Sequence, residues 1–124
     1  MKNGLTCLAI AVLALGLSNI ASADSINEVW RCTVKDEKSL DDVQAANSKW
    51  LAMVREHVSK DIASSVVSSI VGDSTYFLFV DVYPDLATWE KSKTYLRDNE
   101  AADELFAEVS DCSQNYLYYA EPTK

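Results

Sequence analysis

Two side chains of this sequence are candidates for acid–base chemistry, namely His57 and Asp81. His57 is the only histidine, and histidine titrates near neutral pH, which makes it a candidate acid, base or metal ligand. Asp81 lies in an aromatic stretch, where burial raises a carboxyl pKa and suits the group to proton transfer. No serine or cysteine nucleophile motif accompanies either residue. The structural alternatives are a helix-end imidazole for His57 and a salt bridge for Asp81, for example with Arg31.

Aromatic residues surround Asp81 along one predicted strand. Alternate side chains of a strand share a face, so this strand presents an aromatic face with one acid on it. Such a face fits a small apolar or planar molecule rather than one particular reaction. Tyr116 and Tyr118 follow in a later strand and add phenol groups. The predicted ligand-binding residues are Phe77, Phe79, Asp81 and Tyr83.

The first 23 residues have the pattern of a cleaved secretory signal. Lys2 precedes an apolar run from Leu8 to Leu17, and small residues occupy positions 21–23. The apolar run is shorter than the roughly 20 residues that span a bilayer, which disfavours an uncleaved anchor. We therefore predict a signal peptide over 1–23 and a mature protein over 24–124 that is periplasmic or extracellular, without a membrane segment.

Export fixes the interpretation of the three cysteines. Cys7 leaves with the signal, and Cys32 and Cys112 remain as a pair in an oxidising compartment. The pair lacks the close spacing of a redox motif, and without clustered histidines it makes a poor zinc site. We expect a structural disulfide, no metal site and no cofactor.

Length and charge narrow the function further. The mature 101 residues suffice for one domain with a hydrophobic core. The chain carries a formal net charge of −8, and loss of Lys2 makes this −9. Such a charge argues against nucleic-acid binding and against anionic membrane surfaces.

The periodicity of the mature chain predicts a β-α-β-β-α-β order. Ile26 to Val34 alternates as a strand, Ser39 caps a long amphipathic helix, and Gly72 lies in the turn of a hairpin. Asp85 caps a second helix that restarts at Asn99. A tyrosine-rich strand from about residue 113 to residue 120 ends the domain. The order predicts an α+β ferredoxin-like domain with an antiparallel four-stranded sheet.

This topology agrees with the cysteine positions. The first and fourth strands are antiparallel neighbours, so Cys32 near the end of one lies beside Cys112 at the start of the other. We therefore predict a Cys32–Cys112 disulfide.

The third strand is apolar on both faces, whereas the helices cover only one face of the sheet. If its aliphatic side packs on the helices, the aromatic side with Phe77, Phe79, Asp81 and Tyr83 is left on the open face. The opposite assignment of sides remains open. In either case an exposed apolar face is a liability, and a homodimer with facing sheets removes it.

The segment from Phe77 to Trp89 resembles the third strand and second helix of the dimeric α+β barrel superfamily. That superfamily includes antibiotic-biosynthesis monooxygenase-like and NIPSNAP-like domains, and the resemblance implies the fold and the homodimer. The resemblance does not identify one particular reaction, because proteins of one fold can have different activities. Its haem-degrading members place an Asn, a Trp and a His around the cofactor. Here Asn47, Trp50 and His57 share the first helix, whereas the family's His lies on the second helical segment, so no haem is expected.

Three functional hypotheses follow. The first is an exported small-molecule-binding or accessory protein with an apolar, aromatic cavity on the sheet face. The second is a cofactor-independent monooxygenase or isomerase that uses Asp81 or His57. The third is a structural protein-interaction module whose sheet face is filled by a partner.

Overall fold

The computed structural model describes residues 24–123. The predicted signal peptide, including Cys7, lies outside the described residues, so its cleavage stays a prediction. Among residues 24–123, no helix has both the length and the apolar character needed to cross a membrane.

The described chain forms four strands and three helices in the predicted order. The elements are β1 (Ser25–Val34), α1 (Leu40–His57), β2 (Ala63–Ser68), β3 (Phe77–Tyr83), α2 (Leu86–Arg97), α3 (Glu100–Ala107) and β4 (Ser110–Ala120). All strand pairs are antiparallel, and the strand order across the sheet is β2-β3-β1-β4, as a ferredoxin-like domain requires. The predicted ferredoxin-like α+β fold is confirmed.

Capping residues fix where the helices begin. The backbone N–H of Ser39 donates to the Asp42 carboxylate, and the backbone N–H of Asp42 donates to the Ser39 hydroxyl, which together form a capping box. Asp85 accepts from the backbone N–H of Thr88 at 2.7 Å and caps α2. Both predicted caps are therefore confirmed. Asn99 donates to the Tyr95 carbonyl at the end of α2, just before α3 begins.

Strand register decides which side of β3 faces the helices. Tyr83, Asp81, Phe79 and Phe77 pair with alternate residues of β1 that point the same way, and all four are buried. The aromatic side of β3 therefore packs on the helices, in the second of the two assignments that the sequence left open. The first assignment, which placed these four residues on the open sheet face, is wrong.

The outer face of the sheet carries the aliphatic side of β3 instead. It is apolar and partly exposed, with Tyr116 and Tyr118 about half exposed and their ring centroids 6.1 Å apart. An apolar face without a covering layer is therefore present, but its composition differs from the predicted one. Its apolar residues are Val29, Val67, Leu78, Val80, Val82, Tyr116 and Tyr118.

The predicted disulfide is present. Cys32 and Cys112 are register partners in β1 and β4, with their Cα atoms 3.9 Å apart. The register shifts between Arg31 and Cys32, so β1 is irregular next to the bridge. The bridge covalently joins a central strand to an edge strand.

Candidate functional site

A partly open cavity of about 190 Å³ lies between the sheet and the helices. Strand β1 contributes Trp30 and β3 contributes Phe79, while helix residues close the other side. Cys112 brings the disulfide to the wall. The cavity is lined by four aromatic residues, Trp30, Trp50, Phe79 and Phe106, and by three charged residues, Asp81, Lys93 and Asp103.

The aromatic rings pack against one another around this space. The centroids of Phe79 and Phe106 are 4.8 Å apart with an edge-to-face arrangement, and Trp50 lies 6.1 Å from Phe106. Such geometry is typical of favourable aromatic pairs, so the rings hold each other in place. The cavity therefore has a preformed apolar lining.

Asp81 is the buried acid of the cavity wall, with only 5% of its surface exposed. The Ser64 hydroxyl donates to its Oδ1 at 2.6 Å, and Asn47 donates to that hydroxyl at 2.9 Å. Burial raises the pKa of Asp81 to about 6, the Ser64 hydrogen bond opposes this rise, and the negative charge of Glu28 adds to it. A carboxyl with this pKa can both accept and release a proton near neutral pH.

Glu28 is a second buried acid, directly opposite Asp81 in the register of β1 and β3. It forms an ion pair with Lys93 of α2. The Trp89 indole donates to it at 3.2 Å and the Asn115 amide at 3.1 Å. Three donors from α2 and β4 thus compensate the burial of this charge.

Two buried hydroxyls have no hydrogen-bond partner within residues 24–123. Among residues 24–123, the buried oxygens of Tyr83 and Ser92 form no hydrogen bond, although Tyr83 lies near Ser92 and Glu28. Burial raises the pKa of Tyr83 far above that of a free phenol, and the charge of Asp81 raises it further. Tyr83 is therefore a protonated core residue.

His57 does not line the cavity. It ends α1, its side chain is about half exposed, and its ring stacks on Tyr95 with centroids 5.1 Å apart. Glu56 lies 3.9 Å from its Nε2. The structure therefore does not bring the two candidate catalytic residues, His57 and Asp81, together at the cavity.

The structure separates the predicted ligand-binding residues into two groups. Phe79 and Asp81 line the cavity, whereas Phe77 and Tyr83 share their face but are fully buried in the core. Phe77 does not line the cavity, but its ring packs edge-on against the ring of Phe79, which does, with the two centroids 5.0 Å apart. Of the predicted set, two residues can therefore touch a bound molecule.

Arg31 is not the partner of Asp81. It lies on the outer face, 3.8 Å from Asp73 and over the Tyr76 ring. Tyr116 and Tyr118 also lie on the outer face, away from the cavity. The suggested Asp81–Arg31 salt bridge and the cavity role of these two tyrosines are therefore wrong.

Sequence reasoning missed the Glu28–Lys93 pair. A signal was present, because Glu28 interrupts the apolar alternation of Ile26, Trp30 and Cys32 on the inward face of β1. An acid at such a position needs a buried partner, and Lys93 is the basic residue on α2 that reaches it.

Solved structures with the same fold are known. SnoaB, a cofactor-independent oxygenase from Streptomyces nogalater, superposes with a TM-score of 0.61 at 13% identity, over 82% of this chain and 97% of SnoaB. A NIPSNAP domain protein from Burkholderia xenovorans gives 0.53 at 9% identity, over 79% and 94%. A dimeric ferredoxin-like protein of unknown function from Thermobifida fusca gives 0.51 at 12%, over 79% and 91%.

The likeness is one of fold. It confirms the predicted resemblance to the monooxygenase-like and NIPSNAP-like domains at that level. No protein-family model matches the chain. A search of curated proteins also finds no match.

Proposed function

We propose that this protein is an exported homodimer that binds a small apolar or aromatic molecule in the cavity of each subunit. The observation that carries the proposal is the cavity of about 190 Å³, with its four aromatic residues and one buried carboxyl. Binding sites for small molecules are typically concave and apolar with a few polar groups that orient the ligand. This cavity has that composition.

The outer sheet face supports the homodimer. Its aliphatic residues and two half-exposed tyrosines form an apolar surface that a second copy would cover. The Thermobifida fusca protein with this fold is described as dimeric. In the proposed dimer the ligand lies inside each subunit, between sheet and helices, and not between the two sheets.

A cavity-filling variant tests the binding function. Ala102 is buried at the cavity wall, whereas Ala101 is exposed on the same helix. We expect the oxidised mature protein and its Ala101→Leu variant to bind indole in ligand-observed NMR, and Ala102→Leu to lose that binding. Circular dichroism verifies that Ala102→Leu is folded. Equal indole binding by a folded Ala102→Leu variant would contradict the assignment of the cavity.

The second candidate function is a cofactor-independent oxygenase or isomerase in which Asp81 transfers a proton. The pKa of about 6 at the cavity wall favours it, and SnoaB shows that this fold hosts a cofactor-independent oxygenase. A positioned acid or base typically contributes about 10²- to 10⁴-fold to a rate.

Oxygen uptake with a panel of phenols and hydroquinones tests the oxygenase form. We expect Asp81→Asn to lower the uptake about 100-fold or more, consistent with loss of a general base. Exchange of acidic C–H protons with deuterated water tests the isomerase form with the same variant. Retention of the activity by Asp81→Asn would rule out a proton-transfer role for this residue.

A further inference from the structure

We propose that the molecule bound in this cavity is a cation, namely an amine or a quaternary ammonium compound with a compact aromatic or aliphatic body. This inference rests on the proposed binding function and specifies the class of ligand. It follows from the charges and rings of the cavity wall and from the Asp81 oxygen that accepts no hydrogen bond from residues 24–123.

The charges of the wall do not cancel. Asp81 and Asp103 contribute two carboxylates, and Lys93 is the one basic residue of the lining among residues 24–123. The charge of Lys93 is already compensated by Glu28, which lies next to the cavity and is 2% exposed. A ligand therefore meets an excess of negative charge, which favours a cation over a neutral molecule or an anion.

The rings suit a cation as well. The Lys93 ammonium lies 6.0 Å from the centroid of Trp30 and 6.0 Å from that of Trp89. Trp30 is therefore shared with Lys93, whereas Trp50, Phe79 and Phe106 line the cavity with no cation over their rings among residues 24–123. Aromatic faces attract ammonium groups, and groups of such rings are the usual binding sites for methylated amines.

Asp81 offers an acceptor at the same wall. Its Oδ1 receives the Ser64 hydrogen bond, whereas its Oδ2 accepts no hydrogen bond from residues 24–123. A ligand N–H donor at this oxygen would form a charge-assisted hydrogen bond, which is roughly twice as strong as a neutral one. A ligand ammonium beside Asp81 would also offset the electrostatic repulsion between the carboxylates of Asp81 and Glu28.

The cavity volume limits the size of the ligand. An apolar cavity of roughly 150 Å³ accepts benzene. The cavity of about 190 Å³ therefore has room for one ring with a short amine arm. The chain's net charge of −8 also attracts cations over longer distances.

Three probes with the same ring and different charge test the inference. Benzylamine, benzyl alcohol and benzoate are titrated into the oxidised mature protein at pH 7.5 and low salt, by calorimetry or NMR. We expect benzylamine to bind at least about ten-fold tighter than benzyl alcohol, and benzoate to bind most weakly. This ten-fold difference in affinity between benzylamine and benzyl alcohol corresponds to one charge-assisted contact in a partly buried site.

A matched pair of variants locates the charge that is responsible. Asp81→Asn should cut the ratio of benzylamine to benzyl alcohol affinity several-fold, since it removes the carboxylate at the wall. Asp36→Asn, at an exposed loop position away from the cavity, should leave that ratio unchanged.

The outcomes separate this inference from the function on which it rests. Equal affinity for the three probes, or a preference for benzoate, would overturn the cationic ligand while the cavity remains a binding site. An unchanged ratio in Asp81→Asn would also overturn it. Failure of benzyl alcohol, indole and benzylamine alike to bind would overturn the proposed binding function itself.

Discussion

Two acids that face each other across neighbouring strands have different environments. Glu28 has an ammonium and two further donors, so its charge is compensated within the fold. Asp81 lines the cavity and has one hydroxyl donor, and its second oxygen accepts no hydrogen bond from residues 24–123. Environments that separate two acids in this way usually separate their roles. We therefore infer a structural role for Glu28, whereas Asp81 is the one of the two acids that lines the cavity.

The burial of Asp81 makes the stability of the protein depend on pH. Its pKa rises from 3.8 to about 6 on folding. Below pH 3.8 the carboxyl is mostly protonated in both states, so its ionisation adds no cost to folding. Between these values the unfolded state loses the proton first, so stability falls as the pH rises. Above pH 6 the cost is about 3 kcal/mol, at 1.36 kcal/mol per pKa unit.

We therefore predict that Asp81→Asn gains stability relative to the wild type as the pH rises from about 4 to 7. The amide carbonyl can still accept the Ser64 hydrogen bond, which limits other changes. Urea unfolding at several pH values measures the difference, with Asp36→Asn as the control for loss of a surface charge. A difference between wild type and Asp81→Asn that is independent of pH would contradict the buried, titrating carboxyl.

The Glu28–Lys93 pair should respond unequally to loss of either partner. Lys93→Met leaves the Glu28 side chain, which is 3% exposed, without its ion-pair partner, whereas Glu28→Gln leaves the Lys93 side chain, which is 32% exposed, without its partner. Removing one partner of a buried pair costs about 3 to 5 kcal/mol. We expect Lys93→Met to reach that range at pH 8 and Glu28→Gln to cost less. Chemical denaturation of both variants gives the comparison, and a larger cost for Glu28→Gln would contradict it.

At the scale of elements, local signals were sufficient to predict where helices and strands begin. Ser39 and Asp85 cap helices because their side chains satisfy backbone N–H groups within the same turn, which needs no tertiary information. The orientation of β3 was not predictable in the same way. Phe77 and Phe79 on one side and Leu78 and Val80 on the other are all apolar, so alternation alone could not identify the inward face. The register with Glu28 and Cys32 of β1 decides it.

The sequence also pointed to Asp81 and Phe79, which both line the cavity, and their role in binding stays a prediction. An acid among aromatic residues is conspicuous in sequence, whichever way the strand faces. The cavity itself was assigned to the wrong face, because its other walls come from α1, α2 and α3. Lys93 could not be identified before the position of α2 over β1 was known.

The disulfide should contribute strongly to stability, because it joins residues 80 positions apart. The chain-entropy model gives about 4 kcal/mol for a loop of this length. We therefore expect Cys32→Ala/Cys112→Ala to unfold at lower urea concentration than the oxidised protein. The reduced wild type controls for the lost side-chain contacts, and a variant as stable as the oxidised protein would contradict the estimate.

In the proposed homodimer, the outer sheet face is the contact surface between the two copies. Val80 lies near the middle of that face, on a strand with hydrogen-bonded neighbours on both sides. We expect Val80→Lys to be monomeric in sedimentation experiments at concentrations where the wild type is a dimer. Ala45→Lys, on an exposed helix position, is the control. Because the cavity lies on the other side of the sheet, the monomer should still bind indole. A wild type that sediments as a monomer would contradict the homodimer.

The pairing of Ser25 with Ala120 places the two ends of the domain side by side at one edge of the fold. A short linker that runs from residue 121 to residue 24 would join these ends, and new termini can be opened at the exposed turn beside Gly72. The resulting circular permutant keeps every strand pair of the sheet. In that permutant Cys112 and Cys32 are separated only by β4, the linker and the start of β1. The same bridge then closes a much shorter loop, so oxidation should stabilise the permutant less than the natural chain order.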